Sequence, residues 1–167
     1  LFSSAGQGIR FNEANVRVMG RAASGVRGMR LNEGARVIAL MIAGAGEILT
    51  VSERGYGKRT NLSDYPVRGR GGLGVIAQDI NDKTGELVTA LEVNQTDELM
   101  LIADSGKLIR TRVAEVRVMG RNTQGVRLIR LEDTERLVGV DRIDATEIVE
   151  DLEGSDDSLN DDVSASV

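Results

Sequence analysis

The chain has 167 residues, 41% of them hydrophobic, 28% charged and only 2% aromatic, enough apolar material for one ordinary core. With no Cys and no His it can build neither a disulfide nor a thiolate or imidazole zinc site, and it lacks the parts of a Cys nucleophile or a Ser-His-Asp triad. The net charge of -5 hides an asymmetry: residues 1–144 hold all 21 bases against 18 of the 26 acids, and residues 145–167 hold the other 8 acids and no base.

Taken in chain order, the first feature is a Gly-bearing turn, SSAGQG, followed by VRVMGR at 16–21 and GVRGMRL at 25–31. The same order returns twice. Gly6, Gly55 and Gly106 lie 49 and 51 residues apart, and Gly25, Gly74 and Gly125 repeat those intervals, so the chain is three repeats of about 50 residues. In the second repeat, ILTVS at 48–52, GKRT at 57–60, GVIAQDI at 74–80 and ELVTALEV at 86–93 read as four short strands. The third repeat gives LMLIA, LIRT, GVRLIRL and RLVGVDRI in the same order.

The turns SSAGQG, SERGYG and ADSGK predict a tight hairpin between the first two strands of each repeat. The polar turns NEGA, NDKTGE and EDTE predict a second hairpin between the last two. Four strands at this period indicate an all-β, propeller-like fold with four-stranded blades, forming part of a larger ring, with a three-repeat open array or a β-sandwich as the alternative. The expected division is 1–45, 46–95 and 96–144 for the blades, then 145–167 as an acidic tail too poor in large apolar side chains to order itself. The chain opens on Leu1 in mid-pattern rather than on Met, as a piece of a longer protein would. It shows no signal segment and no run of 18 apolar residues, so a soluble, cytoplasmic protein without membrane contact is expected.

A longer loop with a basic, glycine-containing string joins the two predicted hairpins. Gly20, Gly69 and Gly120 coincide there and are expected to shape it, each followed by an arginine, Arg21, Arg70 or Arg121. With Arg17, Arg68 and Arg117 close by, these form a recurring row of cations suited to a bent polyanion, since the planar guanidinium matches phosphate. Lys58, Arg59, Lys107 and Arg110 on or beside the second strands complete the candidate DNA-binding set, although Arg10, Arg59 and Arg110 recur within strands and could instead pack along blade edges. The string GRGGLG at 69–74 matches GxGxxG, but a strand rather than a helix follows it, so no dinucleotide site and no cofactor is expected. The carboxylates show no recurring pair, and no catalytic residue or metal ligand is assigned.

With two Phe, two Tyr and no Trp the chain has few platforms for stacking single-stranded bases, which favours duplex DNA held largely through its phosphates. The strings VRVMGRAASGVRGMRL, GYGKRT, DSGKLIRTRV and VRVMGRNTQGVRLIRL resemble the C-terminal domain of bacterial DNA gyrase A over about residues 1–144. That resemblance implies the last three blades of a β-pinwheel whose positive perimeter wraps duplex DNA to support negative supercoiling. It also implies a non-catalytic part of an ATP-dependent type II topoisomerase, with the rest of gyrase A and the gyrase B protein as partners in the A2B2 complex. RGRGGLG at 68–74 is only a degenerate relative of the family's Gln-Arg-Arg-Gly-Gly-Lys-Gly box, lacking the leading Gln and the Lys, so the special role of that box is not carried over. The alternatives are the corresponding domain of topoisomerase IV, which holds DNA for decatenation, and a propeller that binds other proteins.

Overall fold

A computed structural model describes residues 1–145; the tail expected at 145–167 lies outside the described residues after Ala145. The chain forms β1 (Phe2–Ser3), β2 (Gln7–Gly8), β3 (Val37–Ala39), β4 (Glu47–Ser52), β5 (Tyr56–Asn61), β6 (Val75–Ile76) and β7 (Leu87–Val93). The third repeat adds β8 (Glu98–Ala103), β9 (Leu108–Arg112), β10 (Val126–Arg127) and β11 (Leu137–Ile143). Three short 3-10 turns, Glu13–Asn15, Leu62–Asp64 and Val113–Glu115, follow the second strand of each repeat.

The first hairpin of each repeat forms as its turn chemistry predicts. Gly6, Gly55 and Gly106 have φ of 74°, 78° and 83°, a left-handed conformation that costs glycine least. The amide of each closes a four-residue turn on the carbonyl of Ser3, Ser52 or Ala103 at 2.9–3.0 Å.

The second predicted hairpin does not form. The sheets are ordered β3-β1-β2-β6, β10-β5-β4-β7 and β11-β8-β9, so the third strand of a repeat leaves its own blade and completes the preceding one. Gln7 pairs with Ile76 and Gly8 with Val75, and one repeat later Gly57 pairs with Val126 and Tyr56 with Arg127. These strands are also only two residues long, against the seven expected from GVIAQDI and GVRLIRL. The reason is geometric: after two ladder pairs the chain turns inward, and Ala77, Gln78 and Ile129 are buried between blades instead of extending the sheet edge.

Because blades stack face against face, the central strands β4 and β5 are buried on both sides. In β4, Ile48 enters a cluster with Phe2, Tyr65, Ala77, Leu87 and Ala90, whereas Leu49 and Val51 enter a second one with Val93, Leu99, Leu101, Val113, Ile129 and Leu137. The Phe2 and Tyr65 rings meet edge to face, 5.6 Å between centroids at 76°. The link from the first repeat to β4 is fastened by Glu92, whose carboxylate accepts the amides of Gly44 and Gly46 at 2.8 Å each. Glu92→Ala should lower stability by about 1–2 kcal/mol, read as a reduced urea midpoint, because it frees two backbone donors from a charged acceptor.

Candidate nucleic-acid interface

The basic loops lie where one repeat crosses to the next, and backbone hydrogen bonds fix them there. Arg10 bridges Val67, and Arg59 bridges Val118, in parallel; the Arg68 amide donates to the Arg10 carbonyl at 2.9 Å, and the Arg59 amide donates to that of Arg117 at 3.0 Å. The loops of the second and third repeats are therefore each anchored on the preceding repeat, just after β2 in one case and on β5 in the other.

Two members of the expected cationic set are corrected by their burial. Lys58 is fully buried and Arg59 is 5% exposed, so neither presents its charge at the perimeter. The Lys58 ammonium donates to the carbonyl of Gly120 at 2.6 Å, to that of Arg121 and to Thr123 Oγ1 at 3.1 Å. Desolvation, reinforced by the Arg121 guanidinium and opposed by Asp79 and Asp64, pushes its pKa down to about 8. Arg59 Nε donates to the Val116 carbonyl at 2.7 Å and its Nη1 pairs with Glu47 at 2.6 Å. Arg10 makes the equivalent contact in the first repeat, with Nη1 3.2 Å from the Leu62 carbonyl and 3.4 Å from that of Tyr65. Arg59 within β5 and Arg10 just after β2 thus fasten one blade to the next.

Arg70 and Arg121 are at the surface but reach back to the preceding repeat. Arg70 donates to the carbonyls of Asn15 and Arg27 at 2.9 and 3.1 Å, and Arg121 donates to that of Ile76 at 2.9 Å. Positions 27 and 76 are equivalent, so the same clamp recurs. The other guanidinium N–H groups of each arginine have no hydrogen bond or ion pair among the described residues. Lys107 is paired with Glu135 at 2.8 Å and also donates to the Arg130 carbonyl at 3.2 Å, and Arg110, on the edge strand β9, is paired with Glu98. Arg17, Arg21, Arg68 and Arg117 are exposed, and their side chains have no ion pair or hydrogen bond among the described residues.

The expected loop-shaping glycines are corrected too. Gly20, Gly69 and Gly120 are not in the left-handed region, and a Cβ built on any of them meets nothing within 4 Å. The glycines the crossover requires are Gly74 and Gly125, with φ of 85°, whose added Cβ would lie 2.3 Å from the Gly8 carbonyl oxygen and 2.6 Å from that of Gly57. Their recurrence at fixed intervals was visible in the sequence, but not the backbone that approaches them.

Sequence reasoning also passed over Arg27, Arg30 and Arg130, which are exposed and whose side chains are unpaired among the described residues. Arg30 and Arg130 align with each other, but Asp79 stands at that place in the second repeat and breaks the pattern. Val18 and Val67 stand beside the free arginines, 102% and 60% exposed, so these loops present an apolar side chain next to each cation.

Residues 1–43, 46–94 and 97–144 match the family model of the DNA gyrase C-terminal domain, a beta-propeller. The chain is 58% identical over 144 residues to DNA gyrase A of Pseudomonas aeruginosa, covering 86% of the chain and 16% of that protein. It is 45% identical over 159 residues to DNA gyrase A of Escherichia coli, covering 95% of the chain and 18% of that protein. It therefore spans less than a fifth of the length of these relatives. Among solved structures it is similar to a DNA gyrase A C-terminal domain, with a TM-score of 0.78 and 33% identity over 85% of the chain and 49% of that one. The C-terminal domain of a DNA topoisomerase IV shares the fold, with a TM-score of 0.79 at 22% identity over 92% of the chain and 50% of that one.

Proposed function

The chain belongs to the DNA gyrase C-terminal domain family, and from that premise we propose that it is a non-catalytic module that binds duplex DNA and bends it along the basic loops, supporting supercoiling by a gyrase built from A and B proteins. The observation that carries this reading is the placement of Arg17, Arg21, Arg68 and Arg117, unpaired among the described residues, on loops repeated once per blade. A surface arginine that is not neutralised by a carboxylate retains its field for a polyanion. Successive loops hold these charges at the spacing of the blades, which a curved duplex can follow while its phosphates are contacted in turn. Contacts of this kind position DNA without reading bases. The module needs no cofactor for this role, and a cytoplasmic setting suits it.

The test is a salt titration of duplex affinity. Replacing Arg17, Arg21, Arg68 and Arg117 together by Ala should weaken binding to unrelated duplex sequences alike and reduce the slope of log K against log salt by about 0.9 per lost phosphate contact. An unchanged slope would remove these residues from the interface. Arg70→Ala and Arg121→Ala should weaken binding and also lower the unfolding midpoint, because each arginine clamps a neighbouring repeat. That second readout separates them from the free cations.

A further inference from the structure

The loop at 120–123 differs from its counterparts in what lies beneath it. Position 58 is Lys, whereas the aligned positions 9 and 109 are Ile. The Lys58 ammonium is held by three neutral acceptors, the carbonyls of Gly120 and Arg121 and the Thr123 hydroxyl, and it has no ion pair among the described residues. The charged groups around it are Arg121, Asp79 and Asp64. In a trans peptide the N–H points opposite to the C=O. Two successive carbonyls turned inward onto Lys58 therefore turn the amides of Arg121 and Asn122 outward. Neither amide donates to another described residue. In the second repeat the equivalent of Asn122 is Gly71, and its amide is occupied by the Gly28 carbonyl at 2.6 Å. Among the described residues, the third-repeat loop thus differs from that of the second repeat in combining a buried cation, two outward amides and an arginine whose guanidinium has N–H groups to spare.

We propose that this loop is a binding site for a backbone phosphate of duplex DNA, received by the amides of Arg121 and Asn122 and the Arg121 guanidinium, with Lys58 as the positioning residue that holds the loop open and adds positive charge from below. The inference rests on the DNA-binding reading and deepens it: the junction between second and third repeats is an anchoring point, stronger than the junction between first and second. Successive amides facing one anion are a recurring phosphate-binding arrangement. A cation behind them raises the local potential without contacting the ligand.

The experiment uses the full 167-residue chain, with Lys58→Met and Lys58→Ile, the latter because Ile already occupies the site in two repeats. Both variants should retain the wild-type far-ultraviolet circular dichroism and bind a linear duplex about five- to tenfold more weakly near pH 7. Below its pKa Lys58 is charged and the site is complete; as pH rises the ammonium is lost. Wild-type affinity should therefore fall towards that of the variants between about pH 7 and pH 9, with a midpoint at or above about 8. The ratio of variant to wild type cancels the titrating groups that do not interact with Lys58; those that do are Arg121, Asp79 and Asp64. In 15N spectra, duplex should shift the Arg121 and Asn122 amides of the wild type, and an equal phosphate concentration of inorganic phosphate should not. If wild type and variants bind duplex equally across this pH range, the Lys58 site is overturned and the DNA-binding reading stands. If inorganic phosphate shifts both amides as strongly as duplex, the site belongs to a free anion and its assignment to DNA is overturned. If wild type binds no duplex, the function falls, and the site with it.

Discussion

Gly125→Ala should destabilise the chain by about 3 kcal/mol, the sum of a left-handed φ imposed on alanine and a collision with rigid backbone. The added Cβ would lie 2.6 Å from the oxygen and 2.8 Å from the carbon of the Gly57 carbonyl, so no side-chain rotation relieves it. The residue stands immediately before β10, which pairs with β5 of the preceding repeat, and separating the two would uncover Ile129 and the core around it. A urea titration should show a lower midpoint with an unchanged slope. Gly120→Ala is the control. With open space around its Cβ and no left-handed φ, it should change stability by less than about 0.5 kcal/mol. Equal losses in the two variants would refute this account of the crossover.

Arg59→Met should cost about 3 kcal/mol, since it leaves the Glu47 carboxylate without its cation and the Val116 carbonyl without its donor in a largely dry site. The Arg59 side chain is 6% exposed and that of Glu47 22%, so added salt should screen little of the effect. The third repeat supplies the comparison. Arg110 and Glu98 form the same pair at the same spacing, but the Arg110 side chain is 51% exposed at the outer edge of β9. Arg110→Met should therefore cost less than about 1 kcal/mol, and most of that should vanish in high salt. Thermal melts of the two variants at low and high salt check both statements, and a larger loss at Arg110 than at Arg59 would contradict them.

These pairs bear on function because blade junctions and basic loops share backbone. The carbonyls of Val116 and Arg117 bind Arg59, and those of Gly120 and Arg121 bind Lys58, so the whole third-repeat loop is supported by β5 of the second repeat. Loosening that support should lower DNA affinity without removing any exposed arginine. The cations within the strands act on DNA through the position of the loops, whereas those on the loops act through their own charge.

The repeat, the all-β architecture, the Gly-bearing hairpins and the concentration of arginine on the crossover loops were legible in the sequence, because each depends on local chemistry that recurs at a fixed interval. Turn residues determine a turn, alternation or continuous apolarity determines a strand, and the absence of Cys and His excludes whole classes of site. Which repeat receives the third strand was not legible: Val75–Ile76 and Val126–Arg127 are apolar or mixed pairs that could extend either neighbouring edge, and only the close approach of Gly74 to Gly8 and of Gly125 to Gly57 selects the preceding blade. The division of labour among the basic residues was hidden for the same reason. Lys58, Arg59, Arg21 and Arg117 are all cations in similar strings, and burial alone separates the internal fasteners from the exposed charges. Burial is a property of what packs against a residue, and here the packing partner lies a whole repeat away in the chain.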